Sequence, residues 1–408
     1  MKVGRSFCLL LCFGTLGSLP ARVERRDPPA RPGSMSPNLS LDPKNVLLSW
    51  LEPARPGVKP QDGEYALRFS RLVNGRWTAP VTVAAGSDFF ANWADFPSVT
   101  ADLRGRMVAH WAAKSGDDTY AYDVRLARSD DGGKTWRPMG TAHDDSTPTE
   151  HGFVSAVAEG DRIRIFWLDG RQTAPPSGRH DGRPGTGAMT LRTALVGDRV
   201  EKTELLDSRV CDCCQTSAAM TSEGAVVAYR DRSGEEVRDV AVVRRNAGGW
   251  TAPKLVAADG WEIAGCPVNG PAIAARGRRV AVAWYTQKAN RPRVQVAFSQ
   301  DAGVSFGAPV EVDANGPLGR VDVVLDVNGD ALVLWVASEG KAAAIRLARV
   351  SPAGRLGPAR TVSATETSRS SGFSRIERTG GTLVLAWVEP GEPFRIRAAT
   401  LPADAVSF

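Results

Sequence analysis

The chain has 408 residues, with 51 Lys and Arg against 45 Asp and Glu, a net charge of +6, and 42% hydrophobic residues. That composition suits a globular protein, and the length allows two or three domains or one large repeat array. No basic run of the kind that grips a phosphate backbone is present, so a nucleic-acid partner is not expected.

Taken in order, the N-terminus reads as an export signal over 1–21. Lys2 and Arg5 give a positive start, residues 7–16 an apolar core, and Leu19-Pro20-Ala21 a small-residue cleavage site. The core is too short to cross a bilayer as a helix, so no transmembrane segment is expected and the mature chain is placed in the periplasm or outside the cell. Residues 22–35, rich in Arg and Pro, read as a flexible lead-in.

From about residue 36 to 408 a single pattern repeats. Apolar runs end in an aromatic at Trp50, Trp111, Trp167, Tyr229, Trp284, Trp335 and Trp387, recurring every 51 to 62 residues. A period of that length with several short strands per unit predicts an all-β propeller of four-stranded blades. Strands are lettered a to d from the centre outward. The aromatic-terminated b strands, such as 107–111 and 280–284, are Val- and Ala-rich, as expected of strands packed on both faces. The c strands alternate, as in 122–128 and 394–398, with Arg on one face. A d-strand sequence, Trp77-Thr78-Ala79-Pro80, returns as Trp250-Thr251-Ala252-Pro253. Proline there suits an outer edge, where a ladder donor can be lost. Seven b and seven c strands predict seven blades, with six plus an outer hairpin as the alternative. No d strand follows Leu401, which leaves residues 405–408 or the N-terminal lead to close the last blade.

In such a meander the starts of the a strands and the b–c loops share one face. The residues there differ from blade to blade, which points to a composite site. Asp95, Glu150, Asp231 and Asp322 are candidate acids or bases, with Tyr285 beside them. Arg171, Arg230, Arg232, Arg320 and Arg375 are candidates for an anionic ligand, and Trp93, His151 and Asn269 complete the expected binding ring. A monomer acting on a carbohydrate or other small anionic ligand is the expectation. His110 reads as a packed core residue, and His143 and His180 sit in loops.

Four cysteines follow the signal: Cys211, Cys213, Cys214 and Cys266. In an oxidising compartment they suggest disulfides, with Cys213 or Cys214 joined to Cys266. The alternative is a copper or zinc site formed by Cys213, Cys214, Cys266 and His151.

Between c and d of the second blade stands Ser129-Asp-Asp131-Gly-Gly133-Lys-Thr135-Trp136, and Ser299-Gln-Asp301-Ala-Gly303-Val-Ser305-Phe306 occupies the equivalent place in the fifth. These resemble the Asp-box, or BNR repeat, of sialidases and related propellers. The resemblance implies an exo-sialidase-like glycoside hydrolase acting on acidic sugars. That family uses three arginines on the substrate carboxylate, a Tyr–Glu nucleophile pair and an Asp acid/base. None of the five tyrosines begins an inner strand here, which favours the alternative, a non-catalytic propeller binding carbohydrate, protein or metal.

Overall fold

A computed structural model describes residues 23–173 and 187–408. The expected signal at 1–21 and His180 lie outside the described residues. The fold is an all-β propeller of seven antiparallel blades. Blade one runs Met35–Leu41, Val46–Pro53, Tyr65–Val73, then a split outer strand at Arg76–Trp77 and Val81–Gly86; blade four splits likewise at Gly249–Trp250 and Lys254–Leu255. The breaks fall at Pro80 and Pro253, which have no N–H to give to the c strand. Among the described residues no helix is long and apolar enough to cross a membrane.

The periodic aromatics are anchors as well as packing. Trp50, Trp167, Trp284 and Trp335 are fully buried. Each indole N–H finds a carboxylate: Trp167 donates to Asp169 at 2.9 Å, Trp284 to Asp259 at 2.6 Å and Trp335 to Asp313 at 2.7 Å. Tyr229 does the same with Asp207 at 2.6 Å. In these blades a large ring with one polar tip gains burial area without leaving an orphaned donor, whereas the Trp387 indole of blade seven is buried without a partner.

The two Ser-x-Asp-x-Gly hairpins close on themselves. Asp131 accepts from the backbone N–H groups of Lys134 and Thr135 and from the Ser129 hydroxyl, and Ser129 Oγ accepts from Gly133 N at 2.7 Å. Gly133 has φ +84, and a Cβ there would sit 2.6 Å from the Phe69 ring of blade one, so glycine is required twice over. Asp301 and Ser299 repeat the arrangement.

Residues 23–35, expected as a flexible lead-in, are ordered, and of the two segments offered to close the last blade it is this N-terminal lead that does so. Glu24–Arg25 pairs with Arg395–Pro402 as the outer strand of blade seven. Asp27 pairs with Arg397 at 2.8 Å, and the Trp77 indole of blade one donates to the Arg26 carbonyl at 2.6 Å. The last residues pack elsewhere: Arg349 of blade six donates to the carbonyls of Ala403 and Val406. Beginning the chain at Gly33 is therefore expected to cost about 1 kcal/mol for each bond that residues 24–27 make to blades one and seven. A drop of several degrees in Tm, read by calorimetry, checks it.

The a strands enclose a central channel of about 810 Å³. It runs from the a–b turns at Asp42, Asp102 and Gly160 to a floor formed by Phe96, Phe153 and Arg375.

Candidate functional site

The channel does not open onto the face of the a-strand starts. An aromatic plug seals it there: Trp93 stacks on Phe373 at 5.8 Å, and Phe96 meets the same ring edge-on at 5.2 Å. Two side chains hold the plug. Asn92 Oδ1 accepts from the N–H groups of Ala94 and Asp95, and Gln215 bridges blades by donating to the Ala94 carbonyl and accepting from Gly270 N. The candidate site lies above this plug, off-centre over blades two to five.

Its core is Asp95, Tyr122 and Glu150. Tyr122 starts the c strand Tyr122–Ser129, and its hydroxyl donates to Glu150 Oε1 at 2.9 Å. Asp95 Oδ2 is buried beside the Phe153 N–H and the Tyr122 hydroxyl, without a well-formed hydrogen bond to either. A Cβ on Gly152 would lie 2.1 Å from that oxygen and 2.9 Å from the Tyr122 hydroxyl, so only glycine lets the two groups converge. Phe90 stacks on Tyr122 at 4.1 Å and fixes its ring.

Burial dominates the electrostatics of this cluster. It raises Asp95 to about 7, against the backbone N–H of Phe153 and the Tyr122 hydroxyl, which favour the charged form. Burial likewise lifts Glu150 to about 8; the Tyr122 hydroxyl opposes this, and the negative charges of Asp95, Asp212 and Cys266 add to it. Tyr122 is held well above its ordinary value by burial and by the two carboxyls. The three groups form one proton-sharing unit in which the two carboxyls are raised toward neutrality while the tyrosine stays protonated.

Beside it lie the cysteines. Cys211 and Cys214 are buried, Cys213 is partly exposed and Cys266 exposed, and all four are free thiols. The expected link from Cys213 or Cys214 to Cys266 is not formed. Sulfur atoms of Cys211, Cys213 and Cys214 lie within 4.8 Å of one another, so Cys211, left out of the expected metal set, belongs to the cluster.

His151 does not. It is fully buried between blades two and three, where its ring stacks on His143 at 3.8 Å. Asp123, Asp145, Asp169 and Arg171 surround the two rings. Burial disfavours a charged His143, but Asp123 and Asp145 on either side raise it to about 9. This is a charge-paired joint that also takes up Arg171, bonded to Asp144, Asp145 and Asp169, and so removes it from ligand binding.

The other expected arginines also have structural partners. Arg230 is buried, donates to the carbonyls of Asn269, Arg238 and Tyr285, and lies over the Trp261 ring at 4.8 Å. Arg232 bridges Asp212 and Glu236. Arg375 and Asp322 pair at 3.9 Å beneath Phe96, facing the channel instead of the mouth. Arg320, with φ +53, donates to the carbonyls of Ser368 and Gly372 and holds the 368–372 turn against Trp93. That turn presents Arg369, exposed, over the same Trp93 ring at 5.7 Å and without a carboxylate partner among the described residues. Three arginines therefore do not face one point.

Tyr285 donates to Gln287, packs on Trp261 and is remote from the proton-sharing unit. Asp231, raised to about 6 by burial, then by Asp207 and Asp239 against the Arg232 N–H, lies behind the cysteines beside Val210. Asn269 accepts from Arg320 N at 2.7 Å and shapes the rim. Of the expected acids, Asp95 and Glu150 come together. Tyr122 was missed because the family pattern directs attention to inner strands. Its place at the end of the b–c loop, on the same face as Glu150, was the available signal.

No protein-family model matches the chain, and no curated protein does. Solved structures do. An ulvan lyase, also seen bound to GlcA(1-4)Rha3S, aligns with TM-score 0.57 at 10% identity over 94% of this chain and 96% of its own. The polysaccharide lyase Uly1 gives 0.54 at 9% identity over 91% and 90%. An α-L-arabinanase of Penicillium chrysogenum gives 0.50 at 12% identity over 95% and 99%. These likenesses establish the propeller fold.

Proposed function

We propose that this protein is an exported carbohydrate-active enzyme that cleaves chains containing acidic sugars, with Asp95, Tyr122 and Glu150 as its proton-transfer unit. One observation carries the reading: two carboxyls, Asp95 and Glu150, converge on one buried tyrosine hydroxyl, which donates to Glu150, on the face where propellers assemble ligand sites, and burial raises both toward neutrality. At pH 7 such a unit holds a proton for a leaving oxygen and a base for water, as glycosidic hydrolysis requires. The Tyr122–Glu150 pair and the Asp131 and Asp301 hairpins favour sialidase-type hydrolysis. In its ionised form Glu150 takes the Tyr122 proton as the phenol oxygen attacks the anomeric carbon, and protonated Asp95 gives its proton to the departing oxygen. Asp95 then takes a proton from the water that releases the sugar, while Glu150 returns the proton to Tyr122. The scattered arginines speak against a three-arginine clamp. Arg369 and the Trp93 edge, which lines an apolar cleft of about 320 Å³ with Met35, Ala91 and Phe394, supply the substrate contact instead. The carbohydrate-acting propellers of the same fold are consistent with this reading.

The second reading is a binding propeller without catalysis, favoured by the near-complete burial of Tyr122. Purified mature protein is tested on a fluorogenic sialoside and on uronate-containing polysaccharides, following new reducing ends and unsaturated products separately. Hydrolysis, with KM raised about tenfold in Arg369→Ala and kcat little changed, is the expected result. Binding without turnover on every substrate would leave the second reading.

A further inference from the structure

We propose that Cys211, Cys213, Cys214 and Cys266 form a four-thiolate site for a single zinc ion that clamps blade four to blade five at the mouth. The proposal does not depend on the catalytic reading above.

The local sequence builds three of the four ligands in one turn. Residues 211–214 form a tight turn just before the a strand Ser217–Thr221, tied down by Cys211 N donating to the Arg230 carbonyl at 3.0 Å. Cys211 and Cys214 have the C-x₂-C spacing of zinc half-sites. Their sulfur atoms stand 3.4 Å apart, and Cys213 sulfur lies within 4.8 Å of both. Tetrahedral zinc with Zn–S bonds near 2.3 Å places sulfur atoms about 3.8 Å apart, so the cluster already has the dimensions of one ion's shell. Cys266, outside this three-sulfur group, comes from the loop leading into blade five, and that loop packs on the segment just after the turn: Gly270 N donates to Gln215 at 3.0 Å and a Cβ on Gly270 would stand 2.1 Å from the Gln215 carbonyl.

The surroundings match the charge. Four thiolates around a divalent ion leave two negative charges. Arg238, only 3% exposed in its side chain, donates to Cys211 sulfur at 3.3 Å and is itself oriented by Glu236 at 2.8 Å. Arg230, whose carbonyl accepts from Cys211 N, lays its buried guanidinium on the Asn269 carbonyl, three residues beyond Cys266, at 2.7 Å. Two buried guanidiniums thus balance the excess, and N–H to sulfur bonds of this kind orient thiolate ligands. Four soft sulfur ligands around one ion suit zinc. His151, on the far side of blade three, plays no part.

The experiment measures metal and thiols on the same sample. Mature protein is purified without chelator from medium containing both zinc and copper. Elemental analysis and a thiol count after denaturation with chelator, but without reductant, follow. Zinc near one equivalent with four titratable thiols is expected, falling below about a tenth of an equivalent in Cys214→Ser and in the exposed Cys266→Ser. Arg238→Gln should weaken zinc by about 10- to 100-fold in competition with a chromophoric chelator. Copper in place of zinc would overturn the choice of ion. Titratable thiols absent without reductant, or four free thiols with no metal, would overturn the site.

Discussion

Glu150→Gln is expected to lower kcat by about 100- to 10,000-fold on whichever acidic glycan the wild type turns over, with KM little changed. The amide keeps the shape and still accepts from the Tyr122 hydroxyl, which stands 2.9 Å from Glu150 Oε1. It cannot carry a proton, so only the chemistry is removed. The same variant should be more stable than wild type in alkaline solution. Burial raises Glu150 from 4.5 to about 8, so the folded state holds a proton that the unfolded chain releases. Wild-type stability is therefore full below about pH 4.5 and declines as pH rises through 8, because folding then buries a charge. Glutamine never acquires that charge. Melting curves at pH 5 and pH 8.5 test this: the variant's advantage should be present at the higher pH and vanish at the lower. A variant that loses activity without that alkaline gain in Tm would mean that Glu150 is not the buried, proton-holding member of the unit.

The architecture was legible because it is written in repetition. One aromatic per blade, a Val- and Ala-rich b strand and an alternating c strand are local, periodic signals that packing reinforces. Pro80 and Pro253 marked the outer edge strands, and the structure adds that both strands are split at those prolines. The site was less legible because its parts come from different blades and their roles depend on what each side chain touches. An arginine reads the same in sequence whether it meets a ligand or a row of backbone carbonyls. Arg171, Arg230, Arg320 and Arg375 all proved to be engaged within the fold. Asp95 and Glu150 were visible as mouth acids, yet the tyrosine linking them was not, since its register in a c strand becomes meaningful only when blade two meets blade three. His143 had no visible partner for the same reason: its partners arrive from both blades. Ring closure was legible only as a choice between the N-terminal lead and residues 405–408, because the two paired residues 24–25 are too short a strand to carry periodicity.

Arg230→Ala separates the two meanings an arginine at this face can have. As a ligand contact it would raise KM and leave Tm alone; the structure gives it the opposite signature. The guanidinium donates to three carbonyls, at 2.6 Å to Arg238, 2.7 Å to Asn269 and 2.7 Å to Tyr285, and covers Trp261. Truncation leaves those carbonyls buried without donors and opens a void against the indole, a loss of about 3–5 kcal/mol. Because the three carbonyls belong to the two blades that carry the thiols, the loss should spread to Cys214 and Cys266 as faster alkylation of both. Denaturant unfolding and thiol-reactivity rates on Arg230→Ala and Arg369→Ala, measured side by side, decide it. A large stability loss with fast alkylation in the first, and neither in the second, is the expected pattern. A stable Arg230→Ala protein with impaired substrate binding would return that arginine to the ligand and move the site toward blades four and five.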